Sequence, residues 1–518
     1  MYVVTSAEMQ AIDRLTIEQF GLPGRLLMEN AGREATRVFL SHFSAAARQG
    51  VGVLAGRGNN GGDGYVIARG LAQKDYPVRV YLLSAADRIE GDAAANLKLL
   101  AAAGVPVIEV TDAAAFARCQ RDMRAEAVWV DAVFGTGLRA EVRGLFRQAI
   151  EFINQLNRPL MAVDIASGLN ADTGQPCGAC IRARLTVAFA YPKIGQVIFP
   201  GAEYTGRLEV VDIGIPPAMA ERIRPRQFLL SAEAVRAYVP PRPADTHKGR
   251  TGHLLVVAGS PGKTGAAALT AASALRIGAG LVTLAAPASL HAVMETLTLE
   301  AMTSPLPETA AGVLGPSAHD DILALSQGKS CLALGPGLGT APATGELVRA
   351  LVRSSPIPLV IDADGLNHLS GASERLKDPP VATVLTPHPG EMARLLGTTA
   401  PAVQRDRIAC ARDLATALNL HVVLKGARTL IAHPDGTVYI NPTGNAGMAS
   451  GGMGDVLTGA LAGLIAQGIR PELAARAAVY LHGAAADRLS RSVGPWGYLA
   501  GEVMNALPAQ IAALLAEA

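Results

Sequence analysis

The chain has 518 residues, half of them apolar and 17% charged, with a formal net charge of +2. That length is too great for one core, and the apolar share is ample for several. The near-neutral balance, with no block of like charges, argues against a nucleic-acid binder, and no apolar run reaches the roughly 18 residues that span a bilayer.

In chain order, residues 7–20 and 24–43 read as helices. The N-terminus carries Glu8 and Asp13 where a signal peptide would place basic residues before an apolar run, so none is expected. Strands are predicted at Val51–Ala55, Val78–Leu83, Val107–Val110, Ala127–Asp131, Leu160–Asp164, Leu185–Ala190 and Leu208–Asp212. They alternate with helical stretches such as 63–74, 92–103 and 144–156. This alternation indicates a parallel sheet covered on both faces, a Rossmann-like pattern whose ligands sit beyond the carboxyl ends of the strands. The first such end carries Gly56-Arg57-Gly58-Asn59-Asn60-Gly61-Gly62-Asp63-Gly64, a glycine loop leading to a helix that begins near Asp63 and is suited to a pyrophosphate. Asn60, Asp131 and Ser167 bring hard oxygen ligands to neighbouring strand ends, where they either converge on one cation or simply cap turns. Cys177 and Cys180 form a lone CxxC without a second pair or nearby histidines, and it reads as a turn. Five cysteines, an odd and scattered number, fit a reducing cytoplasm.

Residues 214–250 are proline-rich and aperiodic, which sets the domain boundary: 1–225 and 226–518. Alternation then restarts. Strands are predicted at Leu254–Ala258, Leu281–Ala285, Cys331–Leu334, Leu359–Asp362, Thr383–Leu385 and Val422–Lys425, with helices at 264–277, 341–353, 390–396, 404–417, 454–467 and 471–489. The second domain is therefore also α/β. Its most informative segment is Asn441–Gly459, where Gly451, Gly452 and Gly454 precede a strong helical run. A glycine turn there leaves free N–H groups at the positive end of the helix, a setting for a phosphoryl group. Asp455 in the first turn is either an ordinary cap or a catalytic carboxylate. Asp362 and Asp364 read equally as carboxylates beside Mg²⁺ or as solvated loop acids.

The string Gly451-Gly452-Met453-Gly454-Asp455 resembles the anion-hole motif of ribokinase-like kinases, whose aspartate is the catalytic base. The longer run from Thr443 to Gly459 is similar to one branch, the ADP- or ATP-dependent NAD(P)H-hydrate dehydratases. Other segments of that branch follow in order: His247-Lys248-Gly249, Gly259-Ser260 with Gly265-Ala266-Ala267, Gly335-Pro336-Gly337-Leu338-Gly339, Asp362–Leu366, Thr386–Glu391 and Lys425-Gly426. Ala446 stands where the family often has proline. The resemblance implies a nucleotide site at Lys425, Gly426, Ala427, Arg428, Thr429 and Gly454, and a hydrated-nicotinamide site at Ala267, Gly337, His388 and Asp455. It implies Mg²⁺ with ADP or ATP. The expected chemistry is phosphorylation of the hydrate hydroxyl, then elimination, with Asp455 as general base.

NNGGDG, the DAVFGTG run from Asp131 and the DIASG run from Asp164 look like the NAD(P)H-hydrate epimerase family, together with AEMQAID and LMENAG near the N-terminus. That resemblance covers nearly all of residues 1–215. It implies K⁺ on Asn60, Asp131 and Ser167. It places the hydrated dinucleotide on Asn59, Asn60, Gly61, Gly62 and Asp63, on the loop Gly135, Thr136, Gly137, Leu138, Arg139, Ala140 and Glu141, and on Asp164. Asp164 is the candidate for acid–base work, with Lys193 second; ring opening and loss of water both remain open as the route. The implied partners are small molecules, the NADH and NADPH hydrates and ADP or ATP, with neither nucleic acid nor membrane, and self-association is expected. Two competing readings are a small-molecule alcohol kinase, betrayed by a stable phosphorylated product, and a binding module like the related fold in mRNA-decapping scaffolds.

Overall fold

The computed structural model describes residues 1–371 and 376–516, and it divides into two compact units, Met1–Gln227 and Phe228–Ala518. Among the described residues no helix is long and apolar enough to cross a membrane.

In the first unit the strands are β1 (Val51–Ala55), β2 (Val78–Leu82), β3 (Val107–Glu109), β4 (Val128–Ala132), β5 (Leu160–Val163), β6 (Leu185–Phe189) and β7 (Arg207–Val211). They run parallel in the order β3-β2-β1-β4-β5-β6-β7. Strands β1, β4 and β6 are buried at every position, as strands covered on both faces must be. The two faces form separate cores: Phe39, Ile67 and Leu71 on one, Tyr81, Phe116 and Trp129 on the other. Trp129 lies flat enough against β1 that a Cβ on Gly52 would stand 2.5 Å from its ring. The order reverses between β1 and β4, so a crevice opens at their carboxyl ends.

The sequence places these strands to within a residue or two. The helix expected over 7–20 instead ends at Leu15 and passes into a wider turn, Thr16–Phe20, closed by Gly21 at φ +84°. The helix expected to begin near Asp63 runs Asn59–Ala72, so the paired asparagines form its first turn and are not loop.

In the second unit β8 (His253–Val257), β9 (Leu281–Pro287), β10 (Met302–Leu306), β11 (Cys331–Leu334), β12 (Leu359–Ile361), β13 (Thr383–Leu385), β14 (His421–Leu424), β15 (Leu430–Ala432) and β16 (Val438–Ile440) follow the order β10-β9-β8-β11-β12-β13-β14-β15-β16. All pairs are parallel except β14–β15 and β15–β16. Periodicity misses β10, which contains Pro305 beside an open edge, and β15 and β16, which are three residues each. The helix expected at 404–417 is two, Ala400–Arg405 and Arg407–Leu418, divided where Asp406 caps the second through Ala409 N at 3.0 Å. Helix Met453–Ala466 packs against helix Thr264–Arg276 so closely that a Cβ on Gly459 would meet Thr270 O at 2.1 Å. Glycine and alanine on these helices are what allow that approach.

Candidate active sites of the two units

In the first unit the glycines after β1 serve contact. A Cβ on Gly56 would meet Val133 O at 2.1 Å, one on Gly61 would meet Gly56 O at 2.1 Å, and one on Gly64 would meet the Ala132 Cβ at 2.6 Å. Helix Asn59–Ala72 is thereby seated directly on the ends of β1 and β4, and it carries Asn60 inward. The Asn60 amide donates to Phe134 O at 3.0 Å, while its Oδ1 is buried and without a partner among the described residues. Asp131 is 1% exposed; its Oδ2 accepts from Ser167 N at 2.7 Å and its Oδ1 from Val133 N at 3.3 Å. Burial pushes its carboxyl up to about 6, against the bonds from Ser167 and Val133. The Ser167 hydroxyl accepts from Phe134 N at 2.8 Å. Asn60 and Ser167 thus meet at Phe134, with Asp131 joined through Ser167, and this strand end gathers an orphaned amide oxygen and a buried carboxylate.

A second group lies beyond β5. Asp164 adopts φ +62°, a left-handed conformation that turns its carboxylate toward the neighbouring strand. Its Oδ1 accepts from Phe189 N at 3.1 Å and from Lys193 Nζ, and its carbonyl accepts from Gln196 at 2.7 Å. The Lys193 side chain is fully buried and donates also to Phe189 O at 3.3 Å. Asp63 is held well above the usual carboxylate range by burial and by Asp164 and Asp13, with Lys193 opposing. Burial likewise raises Asp13 to about 6, Lys193 pulling down and Asp164 up. Asn59 and the outer part of the 135–141 loop, Arg139 to Glu141, are exposed at the rim, Glu141 pairing with Arg143 at 2.6 Å.

In the second unit Gly452, at φ +87°, is the N-cap of helix Met453–Ala466, and no side chain caps that end. Asp455 therefore does not act as the cap, and its carboxylate has no hydrogen-bond partner among the described residues. Burial raises it to about 6, helped by Asp362 and Asp364 and opposed by Lys425. A Cβ on Gly454 would lie 3.4 Å from Lys425 Nζ and 3.6 Å from Asp362 Oδ2, so the open amide end faces that pair. Lys425 Nζ bonds Asp362 Oδ1 at 2.5 Å and stands 3.8 Å from Glu391; Thr458 donates to Asp362 Oδ2 at 2.7 Å. Asp362 is 1% exposed, which excludes the solvated-acid reading. Burial works against the Lys425 ammonium, but Asp362, Glu391 and Asp455 raise its pKa overall. Burial pushes Glu391 to about 7, Lys425 opposing and Asp362 adding.

His388 is exposed and caps helix Pro389–Leu396: its Nδ1 accepts from Gly390 N at 3.0 Å, while its own N–H donates to Glu391 at 2.7 Å. Burial and the Lys425 and Arg394 charges lower its pKa, favouring the neutral ring. Asp364 accepts from Lys263 at 2.8 Å, from Gly339 N at 2.9 Å and from Asn367 at 3.1 Å, so it ties the 335–339 glycine turn in place. Ser260 holds the Gly337 carbonyl at 2.7 Å, and Ala267 is fully buried behind that turn. The loop Lys425–Thr429 is fixed from below by Arg407, which donates to Ala427 O at 2.5 Å and Leu424 O at 3.2 Å; Thr429 closes on Gly426 O at 2.9 Å.

The structure brings Asn60, Asp131 and Ser167 together, and separately Lys425, Gly454 and Asp455. Asp13, Glu391 and Thr458 lie within the runs AEMQAID, Thr386–Glu391 and Thr443–Gly459 but carry no assigned role there, and Arg407 lies outside every such run.

A family profile described as "NAD(P)H-hydrate dehydratase" matches residues 254–509, and one described as "YjeF-related protein N-terminus" matches residues 24–195. The bifunctional NAD(P)H-hydrate repair enzyme of Moorella thermoacetica is 46% identical over 98% of this chain and 96% of its own length. That of Thermofilum pendens is 40% identical over 99% and 97%. The solved structure of the ADP/ATP-dependent NAD(P)H-hydrate dehydratase from Bacillus subtilis, co-crystallised with ATP/Mg²⁺, is 31% identical with a TM-score of 0.49, covering 55% of this chain and 98% of that one. With one α/β unit matched by each family profile, the chain belongs to the family of bifunctional NAD(P)H-hydrate repair enzymes.

Proposed function

We propose that the unit Met1–Gln227 interconverts the R and S forms of NAD(P)H hydrate, and that the unit Phe228–Ala518 dehydrates the S form at the expense of ADP or ATP. The observation that carries the reading is Asp455: an unengaged carboxylate on an uncapped helix end, facing Lys425 and Asp362.

The hydrate bears a hydroxyl on its reduced ring, and hydroxide leaves poorly. Asp455 accepts the hydroxyl proton as the oxygen attacks the terminal phosphorus, and the free amides around Gly454 stabilise the charge on the moving phosphoryl group. Lys425, pinned by Asp362, holds the nucleotide phosphates at the end of the 425–429 loop. The C–O bond then breaks, phosphate departs, a ring proton is lost and the double bond returns, leaving AMP from ADP or ADP from ATP. His388 and the Gly337 turn face the nicotinamide end. Three carboxylates, Asp362, Glu391 and Asp455, share one ammonium here, an imbalance that suits a divalent cation. Mg²⁺ bound with the nucleotide would be held chiefly by phosphates beside Asp362 and Asp455, and would neutralise charge on the transferred group.

In the first unit Asn60, Asp131 and Ser167 would hold K⁺, because among the described residues the Asn60 Oδ1 has no donor and Asp131 pairs with no cationic side chain. It would supply a fixed positive charge near the dinucleotide phosphates. Asn59 to Asp63 and the 135–141 loop bind the dinucleotide, and Asp164 exchanges the proton that either epimerisation route requires. Five cysteines without a disulfide suit a reducing cytoplasm, and self-association completes the reading, checked by light scattering.

The test follows absorbance of reduced nicotinamide after hydrated NADH, Mg²⁺ and either ADP or ATP are mixed with the chain. The native chain is expected to recover both epimers, Asn60→Ala/Asp131→Asn only the S form, and Asp455→Asn neither. Full recovery by Asp455→Asn overturns the dehydratase assignment.

A further inference from the structure

The loop Lys425–Thr429 joins β14 to β15 and turns sharply, with Gly426 at φ +140° and Arg428 at φ +56°. Beneath it lies Arg407, the first residue of helix Arg407–Leu418 and only 4% exposed. Its two terminal nitrogens donate to the carbonyls of Ala427 at 2.5 Å, Leu424 at 3.2 Å and Lys425 at 3.4 Å. All three acceptors are backbone oxygens, and Asp406, the acid next to it in sequence, is engaged in capping Ala409 N at 3.0 Å. The Arg407 Nε is buried with no partner among the described residues. Burial lowers the guanidinium to about 10, which leaves it charged at neutral pH. On the opposite side of the loop Gly426 and Ala427 are exposed. A trans peptide points its C=O and its N–H in opposite directions. Drawing the Lys425 and Ala427 carbonyls down to Arg407 therefore turns the N–H groups of Gly426 and Arg428 away from it, and neither finds an acceptor among the described residues.

We propose that Arg407 is a positioning residue for the nucleotide: its buried guanidinium holds the Lys425 and Ala427 carbonyls so that the Gly426 and Arg428 amides stand ready for the phosphates. The inference rests on the reading of Lys425–Thr429 as the nucleotide loop. A loop whose amides are already turned outward loses little further freedom when the phosphates arrive, so the gain appears as affinity. Only a planar fork suits the task, because one guanidinium reaches three carbonyls of the loop in fixed directions, whereas an ammonium is a single point. Its charge matters as well. A buried cation paired only with carbonyl dipoles is costly, and the nucleotide phosphates bring the missing negative charge to the far side of the loop. Arg407 does not touch the nucleotide in this account and acts through the backbone between them.

The experiment measures dehydration of the S hydrate by the full chain and by Arg407→Lys and Arg407→Ala, with Mg²⁺ and varied ADP or ATP, and reads KM for the nucleotide and for the hydrate separately from kcat. Both variants are expected to raise the nucleotide KM on the order of tenfold, with kcat and the hydrate KM little changed. Guanidinium ion at a sub-denaturing concentration should lower the raised nucleotide KM of Arg407→Ala, and urea at the same concentration should not. A nucleotide KM equal to the native one overturns the inference, as does a loss confined to kcat or shared equally by the hydrate KM, or a rescue that urea reproduces. If one variant fails to fold, the other decides. If both fail, Gly426→Ala takes their place, because its methyl would press on an Arg407 nitrogen at 3.0 Å. The same rise in nucleotide KM is then expected, and an unchanged value overturns the inference. A native chain that recovers no reduced nucleotide with either ADP or ATP would sink the dehydratase reading itself; an active native chain whose variants keep its nucleotide KM rejects this inference alone.

Discussion

The two units put glycine to opposite uses at the same architectural place, where a strand hands over to a helix. In the first, Gly61 and Gly64 lie inside helix Asn59–Ala72 and let it sit on the strand ends, so polar side chains are driven inward and ordered. In the second, Gly452 and Gly454 stand at the very start of helix Met453–Ala466 and leave its amide end open. One arrangement buries side-chain oxygens against strand ends; the other leaves free amides beside the buried Asp455 carboxylate. A glycine-rich strand–helix junction therefore does not by itself announce a phosphate, and what the missing Cβ would have touched tells the two apart.

The comparison breaks hardest at the carboxylates. Asp455→Asn is expected to cost about 10³-fold in dehydration while epimerisation continues, a split that NMR of the remaining hydrate would reveal. The base proposed here carries a pH limit. Asp455 must be ionised, so dehydration should fall about tenfold per unit as pH drops below about 6, and a flat profile would deny it the role. Asp164→Asn should invert the pattern, slowing R-to-S conversion on the order of 10²-fold with dehydration of the S form intact.

Glycine exchanges sharpen the contrast at a smaller scale. Gly61→Ala presses a methyl within 2.1 Å of a backbone oxygen, and a loss of about 3 kcal/mol in stability of the first unit is expected from denaturant titration. Gly454→Ala meets Lys425 at 3.4 Å and should leave stability nearly unchanged while weakening nucleotide affinity about tenfold, read by calorimetry. The smallest effect concerns the cation. Potassium should stabilise the first unit by about 1 kcal/mol relative to tetramethylammonium, and Asn60→Ala should erase the difference; equal melting of the native chain in both salts would remove K⁺ from the picture.

Much of this was legible in the sequence. The alternation of short apolar runs with helical periods gave both sheets, and the segments around Asp131, Asp164, Lys425 and Asp455 all lie at strand ends or a helix start. What escaped has physical reasons. Asparagine and glycine are weak helix formers, so propensity delayed the helix to Asp63, whereas packing on β1 and β4 starts it at Asn59. The AEMQAID run gives its residues no tertiary neighbours; only the bridge between Val4 and Lys193 in the fold brings the two ends of the unit together. Arg407 is another such case: its donors reach loop carbonyls that no local pattern connects to it.

The packing of Trp129 has a practical consequence. The chain has two tryptophans: Trp129 is sealed within the first unit at 1% exposure, and Trp496 stands 76% exposed in the second. Each half therefore carries its own optical reporter, the inner indole emitting to the blue and beyond the reach of acrylamide, the outer one red-shifted and readily quenched. Collapse of either half can be watched in the intact protein without cutting it apart.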